Sequence, residues 1–333
     1  MPKLTSLAAF ILFACVPVLI GSSAWALDCT KAKTPQDKAL CADPRAAAAD
    51  AAMSKAYTEL AARLSDTDKK ALIISQRAWL KDRANSCSDT KADALAQCLT
   101  TQSVVRTRYL SGQPEAGPGT GGKLTPVFVQ QPGRKGYYEI DVTALKFVPA
   151  TTAAEKLFNA QMDKYLKDMP SGKITDDYGR DMIYSYMVHA RMVYASPKLI
   201  SAHVETYQFE GGAHGNGGTS DVNIDVTTGK LLTFADVFAA GAADKLNAEC
   251  LRQIIKEKAD RVPDEKIEGD QLKDLKKSIG DGIARMDDWS FSPVGGSVDY
   301  DAYVLGAYAE GAYTCSFPRD FLKSLVQASF ALP

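Results

Sequence analysis

The sequence predicts two units of different class: an all-α, disulfide-stabilised helical hairpin or bundle over residues 27–110, and an α+β unit with an antiparallel sheet and helices over residues 123–333. Three observations predict this division. Apolar residues recur at three- and four-residue steps before residue 110, and at every second residue in several stretches after it. Residues 111–122 carry five glycines and two prolines, a composition that propagates neither helix nor strand. Charge also divides there: residues 28–110 hold 14 Lys plus Arg against 10 Asp plus Glu, whereas residues 123–333 hold 24 against 29. A mildly basic half is joined to an acidic one, and the acidic half is suited to steering a basic partner.

The chain opens with Lys3 and an apolar run from Leu7 to Ile20, interrupted by Pro17. Ala24-Trp25-Ala26 then places small residues where a signal peptidase reads, so residues 1–26 are expected to be a signal peptide cleaved after Ala26. The run is shorter than the roughly 20 apolar residues of a membrane span, and no later stretch approaches that length. The expected location is periplasmic or secreted, with no transmembrane segment in the mature chain. Leu12-Phe13-Ala14-Cys15 offers one alternative, lipid anchoring at Cys15, but bulky Phe13 stands where a small residue is usual.

Removing Cys15 leaves six of the seven cysteines: Cys29, Cys41, Cys87, Cys98, Cys250 and Cys315. An even set in an oxidising compartment reads as disulfides, and no Cys-x-x-Cys spacing supports a zinc or thioredoxin site. Four precede residue 110 and two follow residue 240, which favours Cys250 with Cys315. The first four permit three pairings, of which Cys29–Cys41 with Cys87–Cys98 is preferred.

In the first unit, Met53, Tyr57, Leu60 and Leu64 mark a helix over Ala46–Leu64. Ser65-Asp66-Thr67-Asp68 supplies a turn and capping side chains for a second helix, Lys69 to about Ala84, with Leu72, Gln76, Trp79 and Arg83 on one face. The short turn predicts an antiparallel pair, and a third helix follows over Ala92–Tyr109. Gly117, Gly122 and Lys123 match phosphate-loop spacing, but Leu124 replaces the required hydroxyl and no buried strand precedes them, which excludes that reading.

In the second unit, alternation predicts strands at Tyr137–Phe147, Met182–Tyr194, Leu199–Phe209, Thr219–Asp225 and Leu231–Thr233. Helices are expected at Ala153–Lys167, Ala242–Arg261 and Gln271–Gly280. Short strands around Trp289–Tyr308 and a closing helix, Arg319–Ser329, complete the chain. Strands grouped before helices indicate α+β.

Two resemblances rest on particular residues. Cys29, Cys41-Ala-Asp43-Pro44, Asp50, Tyr57, Gln76-Arg77-x-Trp79-Leu80-x-x-Arg83, Cys87, Cys98-Leu99 and Arg106-x-Arg108-Tyr109-Leu110 resemble the LprI-type lysozyme inhibitor family across nearly all of residues 28–110. Relatives carry an acidic residue just before the second cysteine; here Asp37 lies four residues upstream of Cys41. Tyr207-Gln-Phe209-Glu-Gly211-Gly212-Ala213-His214-Gly215-Asn216 resembles the extracellular domain of RsiV-type anti-sigma factors, which sense lysozyme, and a related domain found beside polysaccharide deacetylases. That match continues through Asn223-Ile-Asp225-x-x-Thr228-Gly229-Lys230-x-Leu232-Thr233-x-x-Asp236-x-Phe238. Ala307-Tyr308-Ala309-Glu310-Gly311-Ala312-Tyr313 resembles that family's closing Tyr-x-x-Gly block. Without the anti-sigma factor's transmembrane helix or a deacetylase domain, what the resemblance implies is binding.

Lysozyme is therefore the expected partner, and blockage of its active-site cleft the expected action. Lysozyme presents two carboxylates in that cleft. An inserting loop must offer them hydrogen bonds, because carboxylates buried without donors are costly. Gly211, Gly212, His214, Gly215 and Asn216 are the candidate binding residues, through backbone N–H groups, the His214 ring and the Asn216 amide. The acidic half is expected to make the main contact.

The alternative is a cell-wall glycan-binding or scaffold protein, with peptidoglycan as ligand and exposed Tyr and Trp stacking on sugars. Catalysis, cofactors and metals are not expected. The three histidines, His189, His203 and His214, form no His-Glu-x-x-His, and no Gly-x-Ser-x-Gly appears. His189 and His203 sit on polar-looking strand faces, where solvent-exposed pairing is the expected role. Asp287-Asp288 and Asp299-x-Asp301 read as surface loops. Trp79 reads as core, and Arg83 as a complement to its helix dipole. No basic patch is interleaved with aromatics, so nucleic acid is not an expected partner.

Overall fold

A computed structural model describes residues 28–88, 91–175, 181–264 and 266–333. The expected leader, its cleavage site and Cys15 lie outside them. In the N-terminal unit three of the four helices start at a capping side chain. Thr34 and Asp37 exchange the two bonds of a capping box and open α1 (Pro35–Ala42), a helix that apolar periodicity alone does not predict. Asp43 ends α1 and caps α2 (Pro44–Ala61), whose first turn is pre-shaped by Pro44. Ser65 caps α3 (Asp66–Ser86), and α4 (Ala92–Leu110) follows. α3 returns antiparallel to α2, as the contacts Gln76–Met53 and Arg83–Asp50 require. Cys29 pairs with Cys41 and Cys87 with Cys98, at Cα separations of 5.7 and 5.9 Å. Each bridge closes a short loop, worth ~3 kcal/mol in the chain-entropy picture.

Residues 111–122 form neither helix nor strand, yet they lie bonded along the sheet. Glu115 N–H donates to Met192 O (2.7 Å), Ala195 N–H to Ala116 O (3.2 Å) and Gly119 N–H to Ala195 O (2.9 Å). Gly117 is required here. Its φ is +85°, and a Cβ would stand 2.2 Å from the Ala195 carbonyl oxygen.

The C-terminal region is α+β. Its strands are β1 (Leu124–Gln131), β2 (Tyr137–Phe147), β3 (Ile183–Ala195), β4 (Leu199–Phe209), β5 (Asn216–Asp225) and β6 (Lys230–Leu231), forming one sheet in chain order. The pairs are antiparallel except β2 with β3. That parallel pair corrects an all-antiparallel expectation. Its cause is the helix between the two strands, α5 (Ala153–Lys167), which carries the chain back to the end where β2 began. Phe158 and Met162 of α5 belong to the main core together with Val142, Val188 and Val204 of the sheet, and Phe158 stands edge-on to Phe147.

A one-turn helix α6 (Phe234–Val237), then α7 (Ala242–Arg261) and α8 (Gly269–Ala284), lead into a second sheet of β7 (Trp289–Ser292), β8 (Gly295–Tyr300) and β9 (Tyr313–Pro318). Cys250 of α7 pairs with Cys315 of β9. Trp289, Phe291, Tyr300 and Phe317 are fully buried in this second core. The expected closing helix is only one turn, α9 (Arg319–Leu322). The tail beyond it pairs instead with the α6 segment, Ala239 N–H donating to Leu325 O and Gln327 N–H to Val237 O.

The two regions share buried surface. Phe128 of β1 clusters with Met53, Leu60, Leu72 and Leu110. Tyr109 of α4 stands edge-on to Phe128 and donates its hydroxyl to Ala144 O at 3.0 Å.

Candidate functional site

Strands β4 and β5 pair in register from Leu199–Asp225 to Gln208–Asn216, forming a long hairpin that carries residues 210–215 at its tip. Gly211 and Gly212 take φ of +89° and +92°, a left-handed turn that other residues adopt only with strain. Gly212, Ala213, His214 and Asn216 are exposed, whereas Gly215 is buried against Tyr207.

A second segment, 301–311, braces this tip. His214 lies flat on Tyr308, with ring centroids 3.7 Å apart and planes 11° from parallel. Its Nδ1 is 2.9 Å from Gly215 O, and its Nε2 is 3.2 Å from the Tyr303 hydroxyl. Tyr308 also donates its hydroxyl to Gly215 O at 3.1 Å. Asp301 Oδ1 accepts from both the N–H and the hydroxyl of Thr219, each at 2.9 Å. Segment 301–311 is itself anchored by Glu310. Burial works against its ionisation, but bonds from Lys258, Tyr313 and the Ala307 N–H outweigh that and hold the carboxyl at about 2. Arg261 donates to the carbonyls of Glu310 and Ala312.

The structure thus brings together two blocks that lie about ninety residues apart in sequence. Gly211, Gly212, His214, Gly215 and Asn216 occupy one tip, as their adjacency requires. His214 is not a free donor, because both ring nitrogens already have partners within the protein. Sequence reasoning missed Tyr303, which is 60% exposed with φ of +75°, and the bracing role of Tyr308. The Tyr-x-x-Gly block was the available signal for Tyr308.

The helical unit presents a second surface, a groove of about 600 Å³ bordered by exposed Ile73, Arg77 and Leu80 of α3 and by Tyr57 of α2. Beneath it the motif residues bond to one another. Arg83 Nη1 donates to Asp50 Oδ1 (2.7 Å) and Ser103 Oγ (2.9 Å), and Arg106 Nε to Gln76 Oε1 (3.0 Å). Trp79 is half-buried, with the Arg83 and Arg106 guanidiniums 4.9 and 5.5 Å from its ring centroid. Arg83 does occupy the last turn of α3, but its charge is also spent on buried Asp50.

Two histidines depart from the exposed role expected for them. His203 is 6% exposed, because β7 and the turn before it pack over β4. Its Nδ1 lies 3.0 Å from Asp221 Oδ1, and its Nε2 3.5 Å from Glu205 Oε1. Burial lowers the ring's pKa, yet these carboxylates raise it on balance to about 9. His189 Nε2 lies 3.2 Å from Asp141 Oδ2, beside a 220 Å³ crevice lined by Trp79, Arg106 and Tyr109. Burial opposes its protonation as well, but Asp141 raises its pKa overall. Asp288, read as a surface loop, is buried and chelated by the Arg285 guanidinium at 2.6 and 2.7 Å.

Comparison with known proteins divides at the same place. Residues 29–110 match the family model "Lysozyme inhibitor LprI", and residues 133–217 match "Deacetylase PdaC". Among curated proteins no sequence matches significantly. Two solved structures share partial likeness. A DUF3298 family protein from Pseudomonas aeruginosa PAO1 is 18% identical, with 64% of this chain and 97% of that chain covered and a TM-score of 0.40. A DUF3298 family member from Bacteroides fragilis is 12% identical, with 63% and 95% covered and a TM-score of 0.43.

Proposed function

We propose that this chain is an exported lysozyme-binding protein that inhibits lysozyme by occupying its active-site cleft. The observation that carries this reading is the match of residues 29–110 to a lysozyme inhibitor family. The hairpin tip supports it as the inserting element. It is exposed, its backbone is turned outward by Gly211 and Gly212, and it is held by the Tyr303–His214–Tyr308 stack. The match to the second family model runs to Gly217 and so includes the whole tip. With His214 committed internally and the Tyr303 O–H donated to its Nε2, the donors left for lysozyme's carboxylates are the Asn216 amide and the tip's N–H groups.

A second reading of the contact surface is favoured by the position of the first match. The helical groove, with Ile73 and Leu80 flanking Arg77, lies wholly within residues 29–110. The glycan-binding alternative is narrowed by the placement of tryptophan. Trp289 is fully buried and Trp79 is covered by two guanidiniums, leaving Tyr303 and Tyr207 as the exposed stacking faces among the described residues. A hydrolytic reading, raised by the word deacetylase, needs a reacting group open to substrate. Among the described residues, the cluster of His203, Asp221 and Asp299 is largely buried and reaches solvent only beside Asp299.

The test uses the full chain and two variants. The variant Asn216→Ala removes the tip's free side-chain donor while keeping the ring stack, so affinity for lysozyme should fall by about tenfold or more at unchanged thermal stability. Leu80→Asp should leave affinity within about twofold. The reverse ranking moves the contact to the helical groove. Retention on peptidoglycan with no lysozyme binding by the wild type would replace this reading with the glycan one.

A further inference from the structure

Five register positions down the hairpin from its tip, three side chains converge that the proposed binding surface does not use. His203 of β4 and Asp221 of β5 are direct partners in the strand register, and Asp299 arrives from β8. One ligand atom from each lies within 4.8 Å of the others. The sequence predicts no metal here, because the three residues are spread over almost a hundred positions. We propose that His203, Asp221 and Asp299 bind a divalent transition-metal ion of the zinc class, through Nδ1 of the imidazole and one oxygen from each carboxylate.

The geometry fits such an ion. With bonds of about 2.1 Å, two ligands of a tetrahedral ion stand about 3.4 Å apart. His203 Nδ1 lies 3.0 Å from Asp221 Oδ1 and 3.8 Å from Asp299 Oδ2, on either side of that spacing. The outer contacts fit as well. Glu205 Oε1 faces His203 Nε2 at 3.5 Å, the orientation that directs Nδ1 inward as the ligand. Thr314 donates to Asp299 Oδ1 at 2.6 Å, leaving Oδ2 for the ion.

A second, independent observation comes from Asp221. Its side chain is 0% exposed, and its Oδ2 has no hydrogen-bond partner. A bare carboxylate oxygen in the interior is costly, and a dication held at Oδ1 lowers that cost by neutralising the carboxylate. An imidazolium–carboxylate pair alone explains the 3.0 Å contact, but it sets a single positive charge between two carboxylates, Asp221 and Asp299. A dication neutralises both. One imidazole with two carboxylates suits zinc or its first-row neighbours better than calcium or magnesium, which take more numerous, all-oxygen ligands. Asp299, with 18% of its side chain exposed, provides the side open to solvent and to a completing water.

The chain from Leu27, without a histidine tag and stripped with a chelator, is titrated calorimetrically with zinc chloride; calcium and magnesium chlorides are separate arms. One saturable zinc site is expected, with thermal stability raised by on the order of 5 °C at saturation. Asp299→Asn, at the solvent side where folding is least disturbed, should weaken zinc binding at least about tenfold. Cobalt(II) should give tetrahedral d–d bands in the wild type that Asp299→Asn loses, and His203→Gln gives an independent second removal. No saturable zinc binding, unchanged affinity in Asp299→Asn, or equally tight calcium or magnesium binding would each overturn the proposal.

Discussion

Lys258 and Glu310 each bring a charge into a place where neither would be stable alone. Lys258 is 5% exposed, its Nζ lies 2.6 Å from Glu310 Oε2, and the Tyr313 hydroxyl donates to the same oxygen at 2.7 Å. Arg261, paired with Glu257, lies over the Tyr313 ring and completes the charged surroundings. Glu310→Gln should therefore destabilise the protein by about 1–3 kcal/mol, because it replaces a close carboxylate partner of a buried ammonium with a neutral amide. The pH dependence follows from the direction of the shift. Folding favours the ionised carboxyl, whose pKa falls from 4.5 to about 2. Its contribution is complete above 4.5 and disappears as pH falls toward 2; Glu310→Gln should lack that component of acid destabilisation. Chemical denaturation of wild type and variant between pH 7 and 3 measures both; equal stability at pH 7 would remove Glu310 as the anchor. At this scale the sequence was partly legible. Glu310 and Tyr308 stood inside a recognisable block, whereas burial of His203 depends on β7 crossing β4, which no local pattern encodes.

Among the elements, the glycine-rich stretch shows most clearly what composition conveys. It correctly excludes helix and strand, but it does not reveal that Gly117 is fitted under the Ala195 carbonyl. Gly117→Ala places a methyl where the φ is +85° and backbone stands 2.2 Å away, so a loss of about 2–4 kcal/mol is expected. A melting temperature equal to wild type would show that the stretch is a free tether. Strand β1 was not legible because Pro126 interrupts it; the proline is tolerated since β1 is an edge of the sheet. The capping pattern Thr34-Pro35-Gln36-Asp37 announces α1, although its apolar period is too short to do so. β2, α5, β4 and α7 were legible to the residue; α5 and α7 each bury one face at helical spacing, whereas β4 is buried on both faces over its first six residues.

For the whole molecule, the boundary visible in composition is also a place of contact. Phe128 sits among Leu60, Leu72 and Leu110, and Tyr109 bonds to the sheet, so the helical unit presents its groove from a fixed position relative to the hairpin tip. The charge asymmetry runs across the same contact, with the acidic region carrying the tip. Association with a basic lysozyme should accordingly slow as salt rises, since long-range attraction is screened at a Debye length of about 8 Å in physiological salt. Inhibition is measured as the fall in lysozyme's rate of cell-wall lysis on titration with the purified chain from Leu27. The rate is expected to fall to a stoichiometric end point, whereas Asn216→Ala, binding about tenfold more weakly, should give a shallower titration without a sharp end point. An undiminished rate at a large molar excess of folded protein would contradict inhibition.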